Sequence, residues 1–285
     1  MSAADSFDAI YERPAVDFVV PLLNRAGFQN SEMLGPLLLA RHRIPYLGAT
    51  PILRGLSDDK HLMKVAARHH GVPTAPWAVY RIGAETPDEP PFRNEPLIVK
   101  PNASSASWGL HIVETWGSAR HAVTALHAQG HDAIVEAWVP ELDVAVPVIG
   151  GPVPGLLPSM AYLPPEGRRF RSYEEKRALS GGEGDDALVP IEDRALKRRL
   201  EALTLKLCRE LWPFDYGRFE FRYDPASGQL RFMEVNLSCN LWSRKTISRA
   251  AGLVGIDHAT LVETIVGNSM LRQGLLSPES VREAA

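Results

Sequence analysis

The chain has 285 residues, 45% of them hydrophobic, which is enough to bury a full core divided among two or three subdomains. Its formal net charge of -3 gives no electrostatic case for nucleic-acid binding, which needs a basic surface, and two cysteines are too few for a disulfide framework or a zinc site. No apolar run approaches the roughly 20 residues of a membrane span, and residues 1–8 lack the basic and apolar regions of a signal peptide. We therefore expect a soluble, cytoplasmic globular protein.

Strands and helices alternate along the chain in the manner of an α/β or α+β enzyme. The predicted elements are a buried strand over 16–23, a helix capped by Ser31 and broken by 44–48, a helix capped by Ser57 or Asp58 and ended by Gly71, strands over 96–100 and 133–136, and a helix over 193–211, with loops over 85–91 and 180–186. The first helix carries Met33, Leu34, Leu37 and Leu38 on one side. In the last helix leucines recur at helical spacing, which is typical of a core stripe.

A predicted β-hairpin over residues 218–236 is the most informative stretch. Alternate residues of a strand share a face, so Arg218 and Glu220 point the same way, as do Glu234 and Asn236 on the return strand. With a short turn, Arg218 would lie opposite Glu234, with Glu220 on the diagonal. Two carboxylates and an amide oxygen suit a hard cation such as Mg²⁺. The alternative is a solvated strand face with charges of both signs.

A second cluster follows the predicted strand that ends in Lys100 and Pro101. There the chain opens into small residues that include Ser104, Ser105 and Ser107. This order places an ammonium group beside a loop whose backbone N–H groups can face phosphate oxygens. The Walker pattern Gly-x-x-x-x-Gly-Lys-Ser/Thr is absent, and a Ser-rich turn without a ligand is the alternative.

Two further clusters carry candidate binding residues. Glu136 ends an apolar strand and Asp143 follows seven residues later. The strand could bind a purine edge with its backbone while Asp143 accepts both ribose hydroxyls, although Asp143 could equally be a turn residue. Residues 173–177, Tyr-Glu-Glu-Lys-Arg, carry charges of both signs, which usually mark exposed surface. Taken alone, Lys60 on its helix would also be a solvated charge.

In this order and at these spacings, the clusters resemble the ATP-grasp superfamily, and specifically its D-alanine–D-alanine ligase branch, over roughly residues 15–270. The similar segments are Ile44-Pro45-Tyr46-Leu47-Gly48 for the family's Ile-Pro-Tyr-Thr-Gly, Asp59-Lys60 with Lys64 for Asp-Lys-x-x-x-Lys, Ile98-Val99-Lys100-Pro101 for Val-Lys-Pro, 136–143 for the adenine and ribose segment, Tyr173-Glu174-x-Lys176 for Tyr-Glu-x-Lys, and Gly217-Arg218-x-Glu220 with Glu234-x-Asn236 for the metal site. No single motif decides the assignment; their shared order does.

The resemblance implies an α+β ATP-grasp fold in which two α+β subdomains clamp ATP. It implies a truncated α/β region over 1–52, a central subdomain over 53–137 and a C-terminal subdomain with the metal and phosphate site over 138–285. The γ-phosphate would pass to a substrate carboxylate, and an amine would attack the resulting acylphosphate.

The resemblance also implies roles for individual residues. Arg218 and Lys176 would be catalytic, with Arg218 stabilising the developing oxyanion. The implied Mg²⁺ ligands are Glu220, Glu234 and Asn236. The implied ATP contacts are Lys60, Lys100, Ser104, Ser105, Ser107, Glu136, Ala137, Val139, Asp143, Lys176, and Phe232, which shares the predicted strand face of Glu234.

Departures from the family pattern concentrate on the substrate side. The chain begins too late to contain the family's Gly-Gly-x-Ser loop, and 24–30 stand where the family has a His-Gly loop. Ala106 and Arg177 replace a serine and a tyrosine that position the substrate in the family. Residues 237–245 replace the family's Pro-Gly-Met-Thr and the serine that binds the substrate carboxylate, with Lys245 near that serine's position.

We therefore expect a carboxylate–amine ligase that acts on an amino acid or small peptide and does not make D-alanyl-D-alanine. The candidate substrate residues are Arg177, Asn240, Arg244 and Lys245. The expected partners are small-molecule carboxylate and amine substrates, with a homodimer as the expected assembly. The alternatives are a thiol acceptor, a cyclo-ligase that closes an amide within one substrate, a phosphotransferase, and a catalytically weak ATP-binding regulatory module.

Overall fold

The computed structural model describes residues 8–21, 31–92, 96–104, 109–138, 142–163 and 188–277. The helices are α1 (Leu34–His42), α2 (Pro51–Asp58), α3 (Lys60–His69), α4 (Trp116–Ala128), α5 (Arg194–Leu211), α6 (Thr246–Gly252) and α7 (His258–Arg272), with a 3-10 turn at Ser31–Met33. The strands are β1 (Trp77–Tyr80), β2 (Leu97–Pro101), β3 (His111–Val113), β4 (Ala133–Ala137), β5 (Leu142–Ile149), β6 (Gly155–Leu156), β7 (Met160–Tyr162), β8 (Leu188–Pro190), β9 (Tyr216–Tyr223) and β10 (Leu230–Asn236). Within these residues no helix is long and apolar enough to cross a membrane.

The predicted buried strand over 16–23 is wrong in its described part, residues 16–21. There the chain makes a single parallel bridge, between Val19 and Tyr46. Val16 is 47% exposed. An apolar segment is buried as a strand only when neighbouring strands pair with it and a second layer covers it, and the described part of this segment lacks a continuous partner strand.

The first predicted helix forms, with a different start and a different buried face. Ser31 lies in the 3-10 turn that precedes α1 and does not cap the helix. Leu39 is fully buried, whereas Leu37, which was predicted on the core side, is 48% exposed. Arg43 takes the left-handed conformation with φ of 56° and ends the helix before 44–48, as predicted.

Asp59 caps the second predicted helix, in place of Ser57 or Asp58. Ser57 and Asp58 lie in α2, and the Asp59 carboxylate accepts a hydrogen bond from the Leu62 N–H at 2.9 Å. This is the bond that a helix N-cap makes to an otherwise unpaired N–H group. Gly71, with φ of +66°, follows the helix as predicted, because glycine adopts this conformation at little cost.

The first four strands form an antiparallel sheet in the order β1-β4-β2-β3. The predicted strands over 96–100 and 133–136 are confirmed as β2 and β4. Both strands are buried along their whole length, and they pack against Val123 and Leu126 of α4. Because β4 lies between β1 and β2, both of its edges are hydrogen-bonded, and its C-terminal end is held in a fixed position.

The remaining strands form an antiparallel sheet in the order β10-β9-β5-β7-β8, with β6 paired to β5. Helix α5 packs against this sheet and is capped by Asp193, which accepts bonds from two backbone N–H groups. The predicted amphipathic helix is confirmed, since its stripe enters the core through Leu196, Leu200, Leu207 and Leu211.

The two sheets meet where the segment after α3 crosses β10. Thr74 and Phe232 form a parallel bridge, and the Phe232 N–H donates to the Pro73 carbonyl at 2.7 Å. The Thr74 hydroxyl donates in turn to the Phe232 carbonyl at 2.8 Å. This junction brings the start of α3, the end of β2 and the outer edge of the second sheet into one region.

Candidate active site

The predicted hairpin forms, but in a different register. Glu220 lies directly opposite Glu234, and Arg218 lies opposite Asn236, whereas Arg218 was predicted opposite Glu234. The partner of Arg218 is shifted by two residues. The pairing of Leu230 with Tyr223 beside the turn accounts for one, and a β-bulge between Phe232 and Glu234, which places one extra residue in the return strand, accounts for the other. Paired residues share a face, so the four polar side chains form two facing pairs on one side of the hairpin.

The bulge also removes Phe232 from that face. Phe232 pairs with Phe221, is fully buried, and packs edge-on against its ring with the centroids 5.7 Å apart. The expectation that Phe232 shares the face of Glu234 is therefore wrong. Its side chain has no exposed surface to offer a nucleotide.

Arg218 and Glu220 form an ion pair along β9, in which Arg218 Nε donates to Glu220 Oε1 at 2.7 Å. Burial alone would lower the pKa of Arg218, but the carboxylate of Glu220 and the neighbouring Tyr162 raise it above its ordinary value. The guanidinium therefore keeps its charge in a partly buried setting. A cation held in one orientation is suited to stabilising an oxyanion that forms during a reaction.

The two hairpin carboxylates and the amide of Asn236 provide an all-oxygen set of ligands. Glu220, Glu234 and Asn236 are all partly exposed, and Asn236 Oδ1 accepts the Ser238 N–H at 2.9 Å, which orients the amide. In the described part of the chain, no three His, Cys, Asp or Glu side chains cluster closely enough to form a metal site. This face of the hairpin offers two carboxylates and one amide oxygen. The set fits Mg²⁺, which prefers oxygen and completes its shell with phosphate and water.

The first turn of α3 places Lys60 beside these ligands. Lys60 Nζ lies 3.7 Å from Glu234 Oε2, and it donates to the carbonyl of Ser104. The helix start is docked on the loop after β2, because the Lys60 N–H donates to the Asn102 carbonyl at 3.0 Å and the His61 N–H to the Asn102 side chain at 2.9 Å. The structure thus brings together Lys60, Ser104 and Glu234, three residues predicted to belong to one site.

Lys100 reaches the same region from β2. Its Nζ lies 3.2 Å from Oε1 of Glu136, on the neighbouring strand β4. The same oxygen lies 3.6 Å from Nζ of Lys64 on α3. Lys64 was recognised in the sequence only as part of a motif, although its position four residues after Lys60 places both lysines on one helix face.

These charges are held in a buried environment. Burial would raise the pKa of Glu136, but Lys100 and Lys64 outweigh that effect and hold it below its ordinary value. Burial lowers the pKa of Lys64 to about 8, against the opposing pull of Glu136. With Lys60 and Glu234 included, three ammonium groups face two carboxylates, so the cluster has an excess of positive charge suited to a polyanion.

The backbone predicted to bind adenine lies at the end of β4. Glu136 pairs with Trp77 on one side and Ile98 on the other. The Ala137 N–H already donates to the Pro76 carbonyl at 3.1 Å, which leaves the carbonyl as the group that Ala137 can offer a base.

Asp143, the predicted ribose ligand, lies on β5 opposite Arg222 of β9. Its Oδ1 pairs with Arg222 Nε at 3.0 Å, and its side chain is 24% exposed. The alternative that Asp143 is a turn residue is excluded, because it lies within a paired strand. The ion pair fixes the carboxylate near the point where the chain passes from the first sheet to the second.

Two of the candidate substrate residues lie against the indole ring of Trp242, and a third, Asn240, accepts a hydrogen bond from the Trp242 backbone. The charged groups of Arg244 and Lys245 lie 5.8 and 5.5 Å from the ring centroid of Trp242, within cation–π range. Asn240 accepts a hydrogen bond from the Trp242 N–H at 2.8 Å. Five other candidates lie outside the described residues: Ser105, Ser107, Val139, Lys176 and Arg177.

Two sheets that meet over buried lysines and hairpin carboxylates are what the resemblance to ATP-grasp ligases predicts. The sequence pattern of the family described as D-ala D-ala ligase C-terminus matches residues 67–267, more than half of the chain, so the chain belongs to this family. The ligases of this family depend on ATP and Mg²⁺.

The chain is also similar to individual proteins. The uncharacterized protein y4sG of Sinorhizobium fredii is 28% identical, over 81% of this chain and 68% of that protein. A D-alanine–D-alanine ligase of Marinomonas sp. is 26% identical, over 94% and 83%. The crystal structure of D-alanine–D-alanine ligase from Bacillus anthracis complexed with ATP aligns with a TM-score of 0.72 at 20% identity, over 95% of this chain and 84% of that one. The predicted α+β ATP-grasp fold is confirmed.

Proposed function

We propose that this protein is an ATP- and Mg²⁺-dependent ligase that activates a carboxylate as an acylphosphate and joins it to an amine. The observation that carries the proposal is the gathering of Lys60 and Lys100 with Glu220, Glu234 and Asn236 where the two sheets meet. Relatives named as D-alanine–D-alanine ligases, and a structural neighbour solved with ATP, support the same chemistry.

Lysine side chains would neutralise the phosphates of bound ATP. A unit-charge pair at about 4 Å in an effective dielectric near 20 interacts by roughly 4 kcal/mol. Lys60 and Lys100 are buried, so salt screens them little, and Lys176 is the third candidate. Mg²⁺ bound by the hairpin carboxylates would supply further electrostatic stabilisation of the phosphate oxygens.

Arg218 would act at the acyl carbon. A carboxylate oxygen of the substrate takes the γ-phosphoryl group and ADP leaves. The amine then attacks the acyl carbon, a tetrahedral oxyanion forms, the bond to the phosphate oxygen breaks, and the amine loses a proton. Arg218 is oriented by Glu220 and offers its charge to the oxyanion.

We further propose that the substrate differs from D-alanine. Lys245 stands near the position of the family's carboxylate-binding serine, and Arg244 and Lys245 lie against Trp242. Arg177 stands in place of a family tyrosine. Arginine offers a bidentate fork to carboxylates, so a substrate with an additional anionic or strongly hydrogen-bond-accepting group fits this composition.

Phosphate release from ATP should be stimulated more by acidic, ureido- or guanidino-bearing amino acids than by D-alanine alone. We expect kcat/KM to differ at least about tenfold, because one charge-assisted hydrogen bond contributes about 1.5 to 3 kcal/mol. Mass spectrometry of the product distinguishes an intermolecular amide from a cyclised or merely phosphorylated substrate. Robust turnover of D-alanine alone contradicts the substrate proposal, and ADP release that no acid stimulates contradicts the ligase proposal.

Asp143→Ala should weaken ATP binding about tenfold or more, because it removes a charge-assisted hydrogen bond to a ribose hydroxyl and such a bond usually contributes about 1.5 to 3 kcal/mol. The binding of 2′,3′-dideoxy-ATP should change little, because that nucleotide lacks both hydroxyls. Calorimetric dissociation constants for the two nucleotides test this, with the exposed Glu201→Ala on α5 as the control. Equal losses for both nucleotides would show that Asp143 acts through its partner Arg222.

A further inference from the structure

Lys64 is a lysine with no exposed surface, inside the helix that also carries Lys60. Its Nζ donates to the Thr74 hydroxyl at 2.7 Å and lies 3.6 Å from Glu136 Oε1. The same Nζ lies 5.6 Å from the ring centroid of Trp77. An ammonium group has three N–H donors, and these three neighbours surround it. Lys64 therefore has no open side on which a nucleotide could contact it.

The carboxylate that Lys64 contacts is shared with a predicted phosphate ligand. Glu136 is 1% exposed, and among the described residues Lys64 and Lys100 form ion pairs with it. When a buried carboxylate loses one of two cationic partners, the remaining partner alone must balance its negative charge. The ionic state of Lys64 therefore governs how strongly Glu136 holds Lys100.

We propose that Lys64 is a positioning residue for phosphate binding: it compensates Glu136, so that the Lys100 ammonium remains available to the nucleotide. The proposal rests on the proposed use of ATP. It assigns to Lys64 a part in the reaction without contact with any reacting atom. The link from Lys64 through Thr74 to the Phe232 carbonyl also ties this cluster to β10, two residues before Glu234.

The proposal predicts the direction of change in two variants. In Lys64→Met, Lys100 is the remaining ion-pair partner of Glu136 among the described residues. If Lys100 then binds a phosphate, Glu136 is left as a buried carboxylate without an ion-pair partner, which is costly. ATP binding should therefore weaken about tenfold, the scale of one charge-assisted contact. In the double variant Lys64→Met with Glu136→Gln, no carboxylate competes for Lys100. ATP binding should then return to within about threefold of the unmodified protein, or become tighter.

Isothermal titration of the full chain with ATP and Mg²⁺, and separately with adenosine, tests these expectations. Adenosine lacks the phosphates, and β4 would contact its base through backbone groups that neither side-chain substitution removes, so its dissociation constant should be unchanged in both variants. Lys206→Met, which removes an exposed lysine from α5, is the control for the loss of one positive charge. Rescue of ATP binding in the double variant is a result that general damage to the fold would not produce.

Two results would overturn the proposal while leaving the proposed function in place. If the double variant binds ATP as weakly as Lys64→Met, Lys64 acts on the phosphates directly or only supports the fold. If both variants lose ATP and adenosine equally, the role is structural. If Lys64→Met does not fold, the double variant is measured alone, because it contains no unpaired Glu136 carboxylate. ATP binding weaker than about threefold below that of the unmodified protein would then overturn the proposal. An unmodified protein that binds no ATP would overturn the proposed function itself, and this inference with it.

Discussion

Glu234→Gln should lower kcat for phosphate release about a hundredfold or more, the usual scale for removing one group that stabilises transferring charge. The substitution keeps the volume of the side chain and deletes one of the two carboxylates that face each other across the hairpin. Glu234 also lies 3.7 Å from Lys60, so the change alters the balance of charge at the phosphates as well as at Mg²⁺. Steady-state turnover measured over a range of Mg²⁺ concentrations shows both effects.

The melting temperature of Glu234→Gln should stay within a few degrees of the unmodified protein, because the side chain is partly exposed. Glu201→Gln on the exposed face of α5 makes the same chemical change away from the site. It should leave kcat as it is. An unchanged kcat in Glu234→Gln would refute the assignment of the hairpin as the metal site.

Asp215→Ala should lower the free energy of unfolding by about 3 to 5 kcal/mol, the cost of removing one partner of a buried ion pair. Asp215 is 2% exposed and accepts bonds from the Gly48 N–H at 2.7 Å, the Ser269 hydroxyl at 2.6 Å and Arg272 Nε at 2.9 Å. The carboxylate thereby joins the segment after α1 to the last helix. Urea denaturation monitored by circular dichroism measures the loss.

A second aspartate that bonds to α7, from an exposed position, provides the control for Asp215. Asp257 caps α7 and accepts the Thr260 N–H at 2.8 Å from an exposed position. Asp257→Ala should cost only about 1 kcal/mol, the usual value of an N-cap. Equal losses in the two variants would contradict the view that Asp215 organises the contact between the N-terminal segment and α7.

The polar face of the hairpin could be predicted from the sequence because alternation along a strand is a local property. Its register could not be predicted, because the bulge before Glu234 lies where Thr74 and Pro73 bind the backbone of Phe232. That contact joins residues far apart in the chain. Counting residues back from the turn misplaced the partner of Arg218 by two residues, one at the turn itself and one at this bulge.

Burial was the property that sequence patterns predicted least well. In the sequence, Lys64 looks like any charged residue of a helix. Its burial beside Glu136 depends on how α3 packs against the sheets, which the charge of the residue does not indicate. Leu37 shows the opposite error, since helical periodicity identifies an apolar side without saying which part of it the core covers. In contrast, the α5 stripe was predicted correctly because five turns of consistent spacing leave one possible buried face.

The central claim is that ATP is used to form an acylphosphate on a substrate carboxylate, and oxygen isotope transfer tests it most directly. An amino acid that stimulates phosphate release would be labelled with ¹⁸O in the activated carboxylate and turned over with ATP, Mg²⁺ and the amine. We predict ADP as the nucleotide product and one ¹⁸O atom transferred from the carboxylate to each released phosphate. Unlabelled phosphate, or the formation of AMP, would contradict the claim.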